Sequence, residues 1–464
     1  MLIENESFRF DSEYFKKEYL ESIKTLKSKR FLVLEQDAVI KGGKRLPLDQ
    51  SFSDNGVPYI RAEDNKYLFV AHDTAPKISE KLSQTLAAYQ IKFNDILITI
   101  VGNSIGDIGI VKFELKKCNL TENCAKVTKL KSLNPHYLLI FLNSTFGILQ
   151  IKRESVGTAQ PKLALERIRK FKILIVSNEF QTKIENVVGA SHSKLQKSKS
   201  LYTEAEQLLL QELGLVNFKP STENIAIKKL SESFGTTGRL DAEYYQPKYE
   251  EILERVKGYP NSWGCLGEIA NIEQKICQLD GKIEYKYIEL SNVGNFGEIT
   301  DYTLGNGKEL PSRARRLVKT SDVIVSSIEG SLSSVALIEQ VYNNAICSTG
   351  FYVINSKLIN SETLLLLIKS QICQTQLKKV CSGTILTAIN SQDFKNIIIP
   401  LIDTNIQNII ASKIQQSFAL RKEAKRLLDV AKQAVEMAIE QDEETAIKWL
   451  NEVTIPETNI HEKS

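Results

Sequence analysis

The chain has 464 residues, 42% hydrophobic and 25% charged, with a net charge of +4. That is ordinary for a soluble globular protein and long enough for two or three domains with cores; the mild basic bias permits nucleic-acid binding without demonstrating it. No apolar run reaches the ~18 residues of a membrane span, the opening MLIENESFRF lacks the apolar core of a signal peptide, and seven Cys without a C-x-x-C pair point to reduced thiols rather than a zinc ribbon.

In chain order, residues 9–30 are rich in Glu, Lys, Tyr and Leu and read as helix, and residues 31–60 turn to β character. Within that stretch KGGKRLP (41–47) is a basic, glycine-rich loop, and VPYIR (57–61) is a strand entered after a turn. Residues 96–100 and 109–113 are short strands around the loop 101–107. Asn134-Pro135-His136-Tyr137 opens an apolar helix, 152–162 is a polar stretch with Gly157-Thr158, and 173–176 is one more strand. Then comes a long helix, 180–215, with Phe180, Ile184, Val187, Leu195, Tyr202, Ala205 and Leu209 in a heptad seam completed by the small Ser191 and Ser198. Gly214 and the Pro220 region stop it. At about 1.5 Å per residue it makes a rod of about 54 Å, the length of a spacer. Residues 217–237 mix Pro, Ser, Thr and Gly as a linker does, and the tail after about Glu443 is polar and is expected to fray.

The scheme occurs twice. Adding 226 carries Phe180 to Ile406, Ile184 to Ile410, Val188 to Ile414, Tyr202 to Leu428, Ala205 to Ala431, Leu209 to Val435 and Gln181 to Gln407. Only Lys413 and Arg421 break the second seam, where the first has Val187 and Leu195. The same step carries Gly157-Thr158 to Gly383-Thr384, FKILIV (171–176) to IIIPLI (397–402), and Ser7-Phe8 to Ser233-Phe234. After four inserted residues (235–238), RFDSEYF (9–15) aligns with RLDAEYY (239–245), and FNDILITI (93–100) matches TSDVIVSS (320–327) in type.

RLDAEYYQPKYEEI, KGGKRLP followed by VPYIR, the Asn-Asp-Ile-Leu strand, a Gly-Thr before an apolar strand and a closing long helix recur in order. Over nearly all its length, in both copies, the chain resembles the specificity subunit of type I restriction–modification systems. The resemblance implies an α+β fold: two globular α/β target-recognition domains separated by two long antiparallel coiled-coil helices, with an internal two-fold repeat. It implies a first recognition domain at 1–178, a central helix at 179–216, a linker at 217–237, a second recognition domain at 238–403, a C-terminal helix at 404–445 and a polar tail at 446–464. By the same resemblance, each globular part reads half of an asymmetric bipartite site on double-stranded DNA. The helices set the gap and dock two methyltransferase subunits, with restriction/translocase subunits beyond them. The chain itself is then non-catalytic and cytoplasmic and binds no cofactor or metal, with S-adenosylmethionine, and ATP and Mg for restriction, on its partners. A rod longer than one B-DNA turn of about 34–36 Å suits such a part.

Candidate DNA contacts are basic residues in loops: Lys41, Lys44, Arg45, Arg61, Lys152, Arg153 and Lys162 in the first copy; Arg313, Arg315, Arg316, Lys378 and Lys379 in the second. Arg can grip guanine O6 and N7 bidentately, and both residue types neutralise phosphates. The bland alternative for each is a solvated surface charge. Asn103, Ser104, Ser326, Ser327 and Ser331 follow strands, where polar side chains either reach base edges or only shape turns. Phe180, Ile184, Tyr202 and Leu209, with Ile406, Ile410, Ile414 and Leu428, mark the spacer helices and the docking of partner subunits. Asn134-Pro135-His136-Tyr137 approximates the Asn-Pro-Pro-Tyr motif of amino-methyltransferases, but no F-x-G-x-G supplies a nucleoside pocket, and an Asn N-cap followed by Pro is the plainer reading. Asp280, Glu284 and Lys286 loosely mimic a nuclease set, with Glu284 and Lys286 in an alternating strand pattern. The competing functions are a self-contained methyltransferase or nuclease, against which the missing cofactor motif speaks, and a coiled-coil scaffold, against which the size of the globular parts speaks. The copies differ most within 31–150 and 262–380, so the target is expected to be two unlike half-sites around an unspecified gap. Genome-wide methylation mapping checks this, and a continuous or palindromic site contradicts it.

Overall fold

The computed structural model describes residues 9, 11–65, 68–113, 117–157, 160–273, 275–381 and 388–454. Ser7, Phe8, Phe10, Thr158, Gly383 and Thr384, which carry part of the repeat, lie outside the described residues. The chain divides into two compact units, Met1–Leu195 with Lys422–Ser464, and Gln196–Arg421. Both divisions fall inside a long helix, Asn178–Glu212 or Thr404–Glu440. Globular part and helix are therefore not separate bodies: each unit holds a globular part together with a stretch of both helices.

In unit 1 the strands are β1 (Phe31–Val33), β2 (Val39–Gly42), β3 (Val57–Ile60), β4 (Leu68–Phe69), β5 (Lys77–Ile78), β6 (Ile96–Thr99), β7 (Ile108–Ile110), β8 (Asn119–Leu120), β9 (Cys124–Thr128) and β10 (Lys172–Leu174). Five form a sheet in the order β2-β9-β6-β7-β4, three form β5-β3-β8, and β1 pairs with β10. β6 is buried along its whole length, as a strand covered on both faces must be. The helix Pro135–Asn143 joins the same core, buried from His136 to Leu142.

In unit 2 the strands are β11 (Trp263–Cys265), β12 (Asn271–Glu273), β13 (Glu284–Ile288), β14 (Thr303–Asn306), β15 (Ala314–Leu317), β16 (Val323–Ser326), β17 (Val335–Leu337), β18 (Ile346–Ser348), β19 (Phe351–Asn355) and β20 (Ile398–Pro400). The sheets run β12-β19-β16-β17 and β14-β13-β18-β15, and β11 pairs with β20. Each sheet has its counterpart in unit 1, apart from β4 and β15, which are extra edge strands of one unit each, so the repeat read from the sequence is largely a repeat of topology.

The helix seams are buried as their heptad spacing predicts, apart from Leu195, which is only half-buried. In unit 1, Phe180, Ile184 and Val188 meet Leu428, Ala431 and Val435 in one core. In unit 2, Tyr202, Ala205 and Leu209 share a core with Ile410 and Ile414, and Ile406 packs against it. Small residues let the backbones approach: Ser191 Oγ donates to the Ala424 carbonyl at 2.9 Å in unit 1, and Ser417 Oγ to the Ser198 carbonyl at 2.9 Å in unit 2. The helix stretches run antiparallel within each unit, since Ser177, just before the first helix, bonds Glu443, just past the end of the second, while Ser191 lies against Ala424, and Glu204 lies against Lys413 while Ser198 lies against Ser417. The two charged departures from the seam both have partners: Lys413 pairs with Glu204 at 2.7 Å, and Arg421 lies over the Phe296 ring at 4.1 Å and meets Glu298 at 3.5 Å.

The tail differs from expectation. Glu443–Thr454 is a helix, with Ala446 and Leu450 buried in the unit 1 core. Asp442 caps it, accepting from the Thr445 N–H at 2.8 Å. Its mean polarity concealed an apolar stripe at Ala446, Ile447, Leu450 and Val453, the spacing of one helix face. Residues 455–464 lie outside the described residues.

Repeated side-chain ties join helix to globular part. Gln181 Oε1 accepts from the Asn134 N–H at 2.6 Å, and Gln407 Oε1 from the Asn360 N–H at 2.8 Å. Asn134 and Asn360 in turn cap the buried helices that follow them. Gln150 bonds both main-chain groups of Lys172 in β10, and Gln376 those of Ile398 in β20. Removing such a partner from a buried N–H costs about 1–3 kcal/mol. Gln181→Ala is therefore expected to loosen the start of Pro135–Asn143, and Gln407→Ala, which also loses bonds to the Leu358 and Ile402 carbonyls, to loosen Ser361–Lys369 more. Hydrogen exchange on the assembled protein checks this; unchanged protection in both helices would refute the role of these ties.

Candidate nucleic-acid interface

In unit 1 the C-terminal ends of β2 and β6 and the N-terminal ends of β7 and β9 lie at one edge of the sheet, because Gly42 pairs with Ala125, Thr99 with Cys124 and Ile98 with Ile108. The loops leaving that edge carry the sequence candidates. Gly43 is required there: a Cβ would lie 1.9 Å from the Thr121 carbonyl oxygen. The Lys44 N–H donates to Leu120 O at 2.9 Å, and Tyr59 Oη donates to Lys44 O at 2.6 Å, so the basic loop is held at both main-chain groups. Arg45 is 77% exposed and 3.5 Å from Glu122. Arg45, Arg61 and Ser104 line one open cavity of about 600 Å³ with Gln50, Phe52 and Asn123. Leu48, on its rim, is almost fully exposed. Asn103 is exposed in the loop after β6, and Lys162 is exposed and bridged to both Val101 and Val156. Lys41 is exposed, but within β2 rather than in the loop.

In unit 2 the same sheet edge holds the ends of β12 and β16 and the start of β19, whereas Arg313 and Arg315 lie at the start of β15 in the second sheet, Arg315 within the strand rather than in a loop. Arg313 is 61% exposed, 2.8 Å from Glu289, with its Nε donating to Tyr287 Oη at 3.3 Å. Arg315 Nε donates to Ser312 O at 3.0 Å. Arg316 does not belong with them. Its guanidinium donates to the Phe351 carbonyl and lies 5.4 Å from the Tyr352 ring, because its strand turns it inward. Ser327 is likewise turned in: its Oγ donates to Gly350 O at 2.9 Å, and Ser326 and Ser331 bond each other. Turn chemistry accounts for these three serines.

Lys152 and Arg153 are in the last turn of the helix Thr145–Glu154, not in a loop, and Lys378 and Lys379 end the helix Gln371–Val380. Lys152 and Lys378 are exposed. Arg153 lies over the Tyr14 ring at 3.8 Å and donates to Tyr14 O, while Lys379 lies over Tyr244 at 4.5 Å. Arg9 and Arg239 complete these sites, each bonded to an aspartate two residues on and lying over the same Tyr ring. Arg153 and Lys379 thus anchor the repeated R-x-D-x-x-Y segments; the recurrence of that motif was the signal for the pairing. Burial pushes the Lys379 ammonium below its ordinary pKa.

The Asn-Pro-His-Tyr segment is a helix cap: Asn134 Oδ1 accepts from the His136 N–H at 2.9 Å, with Pro135 in the first turn. His136 is buried, 2.8 Å from Lys112 Nζ and 3.3 Å from Glu185. Burial, then the Lys112 charge, push its pKa down to about 4, so at neutral pH the ring accepts from the lysine. Glu284 and Lys286 are residues of β13, and Lys286 donates to Val341 O at 2.8 Å. Among the described residues no cluster of His, Cys, Asp and Glu could hold a metal ion, and no helix is long and apolar enough to cross a membrane.

The family model for the type I restriction modification DNA specificity domain matches residues 36–196 and again 261–429. Among solved structures, an S subunit of a type I restriction–modification system from M. genitalium is 14% identical, with 91% of this chain and 95% of that one covered and a TM-score of 0.41. The HsdS subunit from Thermoanaerobacter tengcongensis is 14% identical, with 89% and 97% covered and a TM-score of 0.29. A chain from a structure on complex assembly and conformational transition of the type I R-M system is 15% identical, with 89% and 98% covered and a TM-score of 0.30. The comparison with curated proteins gives no match. With the specificity domain present twice over most of its length, the chain belongs to the type I restriction–modification DNA specificity family, as a DNA target-recognition subunit.

Proposed function

We propose that this subunit is non-catalytic and places two methyltransferase subunits, and through them the restriction subunits, on an asymmetric bipartite DNA site. One observation carries the reading: the same sheet edge recurs in both units with different loop chemistry, while the ties to the long helices are the same. A scaffold that repeats and a surface that differs suit two readers of two unlike half-sites. Lys41, Lys44, Arg45, Arg61, Asn103, Lys152 and Lys162 are the contacts of the first half-site, and Arg313, Arg315 and Lys378 those of the second. S-adenosylmethionine, ATP and Mg belong to the partners, and the complex works in the cytoplasm. The seam residues Leu209, Ile410 and Ile414 are buried in the unit 2 core and so do not dock partners themselves; the outward helix surface around exposed Ile409 receives the partner subunits. The test is methyl transfer by the purified chain alone and with methyltransferase subunits: activity that requires the partners supports the proposal, and activity of the chain alone overturns it.

Replacing Arg313 and Arg315 together with Ala is expected to weaken DNA binding by the assembled complex and to lower its salt slope by up to about two. Affinity and slope that both stay unchanged would leave the pair as solvated charge.

A second expectation concerns helix length. Four residues inserted after Leu195 and four after Arg421 fall where the two units divide, so the contacts within each unit are kept. Four residues add about 1.1 turns and about 6 Å, close to two base-pair steps. The unspecified gap should grow by one or two base pairs, with the bases of each half-site unchanged. Methylation mapping of the variant at the original spacing would refute a measuring role.

A further inference from the structure

Two residues occupy one place in the repeated fold and carry opposite charge. β3 and β13 each end in Tyr-Ile: Tyr59 and Ile60 pair in parallel with Asn119 and Leu120 of β8, and Tyr287 and Ile288 with Ile346 and Cys347 of β18. Each strand passes straight into a single helical turn, Ala62–Asp64 or Leu290–Asn292. The residue between strand and turn is fixed the same way in both: the Arg61 N–H donates to Asp64 at 2.9 Å, and the Glu289 N–H to Asn292 at 2.9 Å. Both stand beside the tyrosine that holds the basic residue of their unit, Tyr59 with Lys44 and Tyr287 with Arg313.

Resting on the reading of the units as half-site readers, we propose that Arg61 and Glu289 are equivalent base-reading residues, Arg61 for guanine and Glu289 for cytosine. The electrostatics separate base reading from phosphate binding. Arg61 lies on the wall of the open cavity, ion-paired to exposed Glu63 and, at 3.2 Å, to buried Asp64. Two carboxylates cancel its charge, so a phosphate gains little from it. Its fork, oriented by Asp64, instead matches the paired acceptors O6 and N7 of guanine. Glu289, an ionised carboxylate, has only acceptors and cannot hold a phosphate. At a surface facing DNA a carboxylate accepts from a base amino group, and cytosine N4 is the usual one. Its bond from Arg313 at 2.8 Å leaves acceptor capacity on a carboxylate, which takes about four.

The test uses the complex with its methyltransferase partners and a library of sites varied at each half-site base. Arg61→Lys keeps the charge and removes the fork. It should lower discrimination by about 10- to 100-fold at one position of one half-site, leaving every other position unchanged. Glu289→Gln should do the same at one position of the other half-site. A uniform change across all bases, or none, overturns the proposal, since a phosphate contact or a purely structural role predicts that result. If either variant fails to assemble, Arg61→Gln or Glu289→Asp is read by the same criterion. The wild-type complex is the control for the underlying reading: without preference for two half-sites that reading falls, whereas preference untouched by the variants refutes only these two residues.

Discussion

The constraint on which the structure depends is the pair of apolar seams along two helices of 35 and 37 residues. A helix of that length with one apolar face owes its stability to whatever covers that face. Here each seam is covered twice, by the antiparallel stretch of the other helix and by a globular part. Phe180 and Ile184 reach the sheet core of unit 1, and Ile410 and Ile414 that of unit 2. The Gln181–Asn134 and Gln407–Asn360 bonds then fix how each buried helix of the globular part meets the long one. The division of each long helix between two units follows from this covering, and so does the folding of the C-terminal segment onto unit 1.

Sheet and helix are locked by buried contacts, so the strand-end loops are where side chains can differ at least cost. The turns that enter β6 and β16, at the opposite end of these strands from the candidate loops, are pinned alike in both units: Asp95 and Asp322 each accept a main-chain N–H three residues back, from Lys92 and Lys319. Burial raises the pKa of both carboxyls, which is tolerable because these bonds compensate the charge. A side chain exposed in a strand-end loop can change without disturbing the core. That is the physical basis for one fold reading different sequences.

Arg45, Arg61 and Arg313 of the candidate interface are paired with carboxylates. Arg45 has Glu122, Arg61 has Glu63 and Asp64, and Arg313 has Glu289. The exposed pairs Arg45–Glu122 and Arg313–Glu289 contribute little to stability, so their value lies in orienting the side chains. Arg421 is the contrasting case: burial against Phe296 lowers its pKa, and Glu298 opposes the shift.

Much was legible in the residues themselves. The heptad seam, the repeat at a constant step and the Asn-Pro helix start are local patterns, and each is buried or bonded as the pattern requires. The recurrence of Gln181 as Gln407 was visible, though its bond to Asn134 was not. What the sequence could not decide was direction. Arg313, Arg315 and Arg316 are close neighbours in sequence, yet strand alternation and a register shift in β15 turn the last of them inward. Arg153 reads as a loop cation, but the ring of Tyr14, 139 residues away along the chain, claims it. Composition made the C-terminal segment a tail until the unit 1 core supplied a surface for Ala446 and Leu450. Periodicity along a chain records which residues can share a face; which face is then buried, and which charge remains at the surface, depends on contacts between residues distant in sequence, and only the tertiary structure supplies those.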